Sequence, residues 1–366
     1  MVYHQRNMSQ SASAPSAPAQ FTSIGGQAVL EGVMMRSPNF IAVAVRKPDG
    51  RILIRNQPYV SVSKKFPILR KPVLRGVVML LESMIQGVDA LSFSANVASV
   101  NSGDPNQGQQ GEEISGWAMA GSILTAMVMG LGLFVALPHF LTAVVTSSSG
   151  SGITAQSPLF HLLDGTLKML ILLTYVYLIS LMKDIHRVFQ YHGAEHKSIY
   201  AFEAGEELIV ENARKHTALH PRCGTSFLLF LVLISVAVFS IIFPVFHLTE
   251  LSTIPLLNHA LMVVVKIGLM LPVAGLSYEF IKMCACRMNN PIFRAMIWPG
   301  MVLQNLTTRE PSDDQLEIAL ASLRAVLRAE KGIRPDPASS KEGEYEVSAL
   351  SELGLVQATV AEFPEA

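Results

Sequence analysis

Residues 224–246 read GTSFLLFLVLISVAVFSIIFPVF, a run without a single charged side chain. A helix needs about 20 predominantly apolar residues to cross a bilayer core. A soluble helix of that length keeps a polar face, and this one has none. Three further stretches qualify. Trp117–Val145 is also uncharged, Leu159–Met182 is interrupted by Asp164 and Lys168, and Ala260–Ile281 carries Lys266 and Glu279. The expected fold class is a mainly α-helical polytopic membrane protein with about four transmembrane helices.

The whole composition agrees. Of 366 residues, 50% are hydrophobic and 15% charged, against about 25% charged in an average soluble domain. Mean hydropathy is +0.38. This excludes a disordered chain, a collagen-like chain and a disulfide scaffold. The 28 basic and 28 acidic residues cancel, so bulk basicity offers nucleic acid nothing and no nucleic-acid partner is expected. The partner expected first is the lipid bilayer.

The basic residues are unevenly placed. Loops 146–158 and 247–259 hold no Lys or Arg, whereas eleven precede Trp117, six lie in 183–222 and nine in 282–366. Basic loops stay cytoplasmic. Both termini and the central loop are therefore expected in the cytoplasm, with the bacterial plasma membrane as the location and a plastid membrane as the alternative. Cys223, Cys284 and Cys286 then lie at or near the reducing side, as unpaired thiols should. Residues 1–75 carry eleven basic and two acidic residues, and 336–366 one basic and seven acidic. The neutral total hides a basic N-terminal region, suited to an anionic membrane face, and an acidic tail.

Outside the spans the chain divides further. Residues 1–20, rich in Ser, Ala, Pro and Gln, lack the apolar core of a signal peptide and are expected to be disordered. Residues 21–66 predict a small cytoplasmic β domain. Its runs are Gln27–Met35, Phe40–Arg46 and Arg51–Arg55, with turns at Ser37-Pro38-Asn39 and Pro48-Asp49-Gly50 and a fourth strand at Tyr59–Phe66. Ile41, Val43 and Val45 alternate as in a half-buried strand. Residues 70–98 predict an interfacial or packing helix, because Arg75, Glu82 and Asp89 interrupt any spanning run. A linker follows at 99–116. The four spans occupy 117–282 and enclose the loop 183–222. Over 283–332 come an interfacial stretch and a C-terminal amphipathic helix, opened by the Ser312–Gln315 capping pattern and ended by Gly332. The tail 333–366 is expected to be disordered.

Chemistry concentrates at His192-Gly193-Ala194-Glu195-His196. On a helix continuing from the second span, His192, Glu195 and His196 share one face. Two imidazoles one turn apart chelate a metal, and a glutamate between them serves as third ligand or as general base. His220-Pro221-Arg222-Cys223 adds a His and a Cys at H-x-x-C spacing on the same side of the membrane. His192, His196, His220 and Cys223 make a closed set suited to structural zinc. With Glu195 or Glu203 as ligand and one position open, the site would be catalytic. The bland alternative is a polar loop beside a buried cysteine. Glu31 and Arg36, a lone acid and base in an apolar run, are expected to pair or to line a site, with structural use favoured. Cys284 and Cys286 read as membrane-boundary residues. Asp164 and Lys266 should lie at similar depth on parallel helices, with Lys168 one turn beyond Asp164. Charges inside a bilayer are costly and seek partners, so an Asp164–Lys168–Lys266 cluster is expected, a packing clasp before an ion path.

Several motifs in order, Gly25–Pro38 (GGQAVLEGVMMRSP), His192–His196 (HGAEH), Val210–Ala213 (VENA), His220–Phe227 (HPRCGTSF) and Leu306–Pro311 (LTTREP), resemble the YqhQ family of uncharacterised membrane proteins of bacteria and photosynthetic lineages. The resemblance covers about residues 21–330. It implies a membrane protein, sometimes labelled a predicted metal-dependent enzyme, and no specific reaction. Three functions compete. The first is a zinc-dependent hydrolase at the cytoplasmic face, with Glu195 activating water. The second is a non-enzymatic membrane factor whose metal is structural and whose N-terminal sheet and C-terminal helix bind a protein partner. The third is a small-solute or ion transporter built on the charged cluster, against which the lack of inverted repeats counts.

Overall fold

The computed structural model describes residues 23–99, 116–150, 152–248, 251–333, 343–356 and 358–363. The expected disordered start and most of the expected linker lie outside them.

Five strands form one antiparallel meander in the order β1 (Gly25–Val29), β2 (Gly32–Arg36), β3 (Phe40–Arg46), β4 (Ile52–Pro58) and β5 (Glu344–Val347). The run Gln27–Met35, expected as one strand, is two. Val29 pairs with Gly32, so Leu30 and Glu31 make a two-residue turn. Glu31 takes the positive φ of 51° that such a turn needs. The expected strand at Tyr59–Phe66 is instead a helical turn, Val62–Lys65, followed by the 3-10 turn Pro67–Arg70. Pro67 cannot donate to a strand ladder.

The tail also departs from expectation. Part of the stretch expected to be disordered adds β5 to the edge of β4, with Ile52 opposite Val347 and Ile54 opposite Tyr345. Its acidic residues face the basic N-terminal strands: Glu346 accepts from Lys47 at 2.8 Å and also pairs with Arg51. Charge separation along the chain thus becomes charge pairing across the sheet.

The helices are α1 (Leu74–Ser99), α2 (Gly116–Leu131, continued through Gly132–Ala136 and Leu137–Ser148), α3 (Pro158–Ser180), α4 (Lys183–Glu203), α5 (Gly224–Val245), α6 (Pro255–Ala285), α7 (Pro291–Thr307) and α8 (Asp313–Glu330). Residues Gly132–Ala136 form a π turn. Pro138 lies two residues beyond it, and its ring displaces the regular ladder. Among the described residues five helices, one more than expected, are long and apolar enough to cross a membrane: Leu74–Ala98, Gly121–Ser148, Pro158–Ser180, Gly224–Val245 and Pro255–Ala285.

Both sheet faces are covered, which corrects the half-buried strand. Val33, Met35, Ala42, Ala44, Ile52 and Ile54 pack with α4 and α8. Val29, Met34, Val43 and Val45 pack with Ala90 and Phe93 of α1. Polar contacts fix α1 against the sheet: Arg36 Nη1 donates to Gln86 at 3.1 Å, Gln27 Nε2 to the Ser83 carbonyl at 3.2 Å, and Arg55 to Asp89 at 2.5 Å. The opposite side of α1 leaves Leu81, Met84, Ile85, Val88 and Leu91 exposed. The expected amphipathic C-terminal helix, α8, is buried almost all round. Its capping box is as expected, with the Ser312 amide donating to Gln315 at 2.9 Å. Buried Arg324 donates to the carbonyls of Leu208 and Leu350. The β layer is thus not an N-terminal domain by itself, since α4, α8 and β5 complete its core.

Candidate metal centre

The second span and the H-x-x-E-H helix are separate elements. α3 ends at Ser180, and Met182 is extended before α4 begins at Lys183. Within α4 the expected geometry holds. The rings of His192 and His196 lie 4.4 Å apart. Cys223 caps α5 and reaches them, with Sγ 3.2 Å from His192 Nε2. One ligand atom from each of His192, His196 and Cys223 lies within 4.8 Å of the others.

Both imidazoles are oriented from behind. His192 Nδ1 donates to the Thr307 carbonyl at 2.9 Å and His196 Nδ1 to the Ala218 carbonyl at 2.5 Å. A carbonyl only accepts, so Nδ1 carries hydrogen in each ring and Nε2 is turned toward the cluster. Outer carbonyls that fix a ring in this way are the usual support of a metal-binding histidine. Burial disfavours charge on both partners of the His192–Cys223 contact. Their mutual attraction outweighs it, pushing His192 up to about 9 and holding the Cys223 thiol well below its usual range. A thiolate is the form that binds metal.

His220 departs from the expected four-ligand set. Its Nε2 lies 3.4 Å from Glu203, and its Nδ1 accepts from the Arg222 amide at 3.3 Å. Glu203 is in turn paired with Arg222. Both residues therefore belong to a neighbouring buried ion-pair network and not to the convergent triad. Gln304, which spacing did not single out, holds this segment. Its side chain exchanges two hydrogen bonds of 2.8 Å with the His220 backbone and donates to Ser226.

Glu195 is buried beside the triad. Burial pushes its carboxyl up, while His192, His196 and a hydrogen bond from the Gly26 amide oppose the shift. A Cβ on Gly26 would lie 2.6 Å from the Met34 oxygen and 3.1 Å from Glu195 Cγ. Only glycine lets β1 approach α4 so closely. The other motifs meet the same helix. Glu31 pairs with Arg187 and accepts from Tyr191 at 3.3 Å. Arg36 turns to Gln86 and the ring of Tyr59, so the expected Glu31–Arg36 pair does not form. The Arg309 carbonyl sits where a Cβ of residue 193 would be, and Glu310 pairs with Lys197.

A second polar cluster lies among the apolar helices. Asp164 Oδ2 accepts from Lys168 at 2.8 Å and from Lys266 at 2.7 Å. The three expected residues do meet. Two histidines extend them: Lys266 Nζ lies 3.0 Å from His139 Nδ1, and His139 Nε2 lies 3.1 Å from His259. A neutral histidine inside an apolar run, His139, and one at the end of a loop without Lys or Arg, His259, each carry little signal in the sequence. Cys284 is buried between α5, α6 and α7, and Cys286 is exposed at the end of α6.

Residues 71–329 match the family described as "Protein of unknown function (DUF1385)". The chain belongs to this family. It is 33% identical over 316 residues to the "Uncharacterized protein YqhQ" of Bacillus subtilis (strain 168), covering 84% of this chain and 92% of the relative. No solved structure gives a significant match. The DUF1385 match contains α4, Cys223 and Thr307, and so spans the whole centre.

Proposed function

We propose that the chain is a multi-pass membrane protein with a zinc centre at its basic, cytoplasmic face, and that this centre serves a metal-dependent hydrolase. The donor set carries the reading: three ligand atoms converge rather than four, with a buried glutamate beside them. Two imidazoles and a thiolate suit zinc, and three protein ligands leave a position open. When bound, zinc supplies Lewis acidity and lowers the pKa of water. Thr307 and Ala218 keep both Nε2 atoms aimed at the centre. Glu195, its affinity for a proton raised by burial, takes and returns the proton. In this reading α2, α3, α5 and α6 span the bilayer. α1 lies in the interface between the sheet and lipid, its exposed stripe toward the acyl chains.

A second reading, a structural centre in a non-enzymatic membrane factor, is favoured by burial: His196 is 2% and Cys223 5% exposed. Zinc there would pin α4 of the sheet layer to α5 of the bundle, and a protein partner would bind the outer polar surface of that layer. Metal analysis of the purified chain beside His192→Ala and Cys223→Ser tests both. The expected result is near-stoichiometric zinc in the parent and loss in both variants; a metal-free parent ends both readings. Adding acetohydroxamate to the cobalt-substituted protein then separates them. A changed visible spectrum marks an open position, and an unchanged one selects the structural role.

A further inference from the structure

We propose that the corner between the start of α1 and the end of α6 binds the headgroup of an anionic glycerophospholipid. The corner contains a cavity of about 390 Å³ lined by Arg75, Glu279, Lys282, Met283, Cys286 and Arg287. That volume lies within the ~300–1,000 Å³ of small-molecule sites. Its single carboxylate is already matched, because Arg75 grips Glu279 through two hydrogen bonds of 2.7 Å. Lys282 also attracts that carboxylate, and with three basic side chains, Arg75, Lys282 and Arg287, against one acid the lining is cationic overall. Arg287 is steadied by the Phe293 ring, 5.5 Å away, and by the Met283 carbonyl at 3.3 Å.

Val73, which precedes the lining residue Arg75 and contacts Glu279, is held against its own backbone preference. Val73 has φ 70°, unfavourable for a β-branched residue. Its amide donates to Glu279 at 3.3 Å, and Gly275 leaves room for the Val73 side chain where a Cβ would lie 2.7 Å from it. Strain kept in place by specific contacts is found at ligand clamps.

A lipid suits the surroundings better than a soluble anion. The cavity lies at the ends of an apolar helix, where Leu276 and Met283 remain exposed as a track for acyl chains. Residues 64–75 add Lys64, Lys65, Arg70 and Lys71 without any acid. Phe66 and Ile68 are exposed among them, at 57% and 60%. Basic pockets between membrane helices on the cytoplasmic side are typical headgroup sites. The inference shares membrane embedding with the proposed function and does not depend on the metal.

The test uses the full chain in neutral detergent, read by thermal unfolding and by native mass spectrometry. The probes are phosphatidylglycerol, phosphatidylcholine and free glycerol 1-phosphate. Phosphatidylglycerol is expected to raise the unfolding temperature by several degrees and to stay bound through desolvation, and the other two are not. The double variant Lys282→Gln/Arg287→Gln keeps the Arg75–Glu279 pair and is expected to lose both effects. Lys183→Gln/Lys215→Gln, basic and exposed but outside both the cavity and the 64–75 segment, should keep them. Equal stabilisation by phosphatidylcholine, full stabilisation by glycerol 1-phosphate, or equal loss in both variants would overturn the proposal. Were the double variant unstable, competition between the two lipids for the parent chain decides the same question.

Discussion

His220 shows how burial separates side chains that the sequence groups together. It is 3% exposed. Burial, helped by Arg222 and opposed by the hydrogen bond to Glu203, holds its imidazole down to about 4. The unfolded chain, with an ordinary histidine near 6.5, binds the proton first. Stability should therefore fall as pH drops from about 6.5 toward 4, by up to about 3 kcal/mol for this group. His192 carries the opposite shift, and its contribution is already complete below pH 6.5. Unfolding temperatures at pH 7.5 and 5 should converge in His220→Gln relative to the parent. An unchanged pH response in that variant would contradict the assignment. His192 and His196 were legible because helical spacing describes directions that the backbone enforces, whereas the H-x-x-C spacing marked the segment that brings Cys223 in and not the pair of ligands. The turning of His220 toward Glu203 was not legible, since it depends on Arg222 and on Gln304 from a helix far along the chain.

The elements tell the same story at larger spacing. Four of the five long apolar helices and the cap at Ser312 follow from local pattern, because apolar length and capping chemistry act within one element; Leu74–Ala98 qualifies as the fifth despite its interrupting charges. Turns at Ser37–Asn39 and Pro48–Gly50 follow from proline and glycine. The split of Gln27–Met35 escaped notice because Glu31, not glycine, takes the positive φ. β5 escaped because a short strand in an acidic tail gains its stability from the edge it joins. Removal of residues 343–366 should thus lower the unfolding temperature and open β4 to intermolecular pairing. Size-exclusion chromatography and thermal unfolding of the truncated chain check this, and an unaltered elution volume with parental stability would mean that β5 contributes nothing.

Among the described residues two buried polar centres lie apart, one between the sheet layer and α5 and one among the apolar helices. The second hangs on a single atom, since both Lys168 and Lys266 donate to Asp164 Oδ2. Removing the shared partner of a buried charge costs about 3–5 kcal/mol. Asp164→Asn should therefore destabilise more than Lys168→Met, as read by detergent-resistant fluorescence of a tagged chain during heating. Equal effects would mean that the lysines find other acceptors.

The pairing of β4 with β5 also sets an order of events at the ribosome. Ile52 and its partner Val347 are separated by all five apolar helices of the described residues. At about 5–20 residues per second, the first strands wait roughly 15–60 s for the last one. During that interval the nascent sheet has an open edge. If the apolar helices enter a bilayer as proposed, completion of the sheet would report that every intervening segment has been threaded to one side, a built-in checkpoint on insertion.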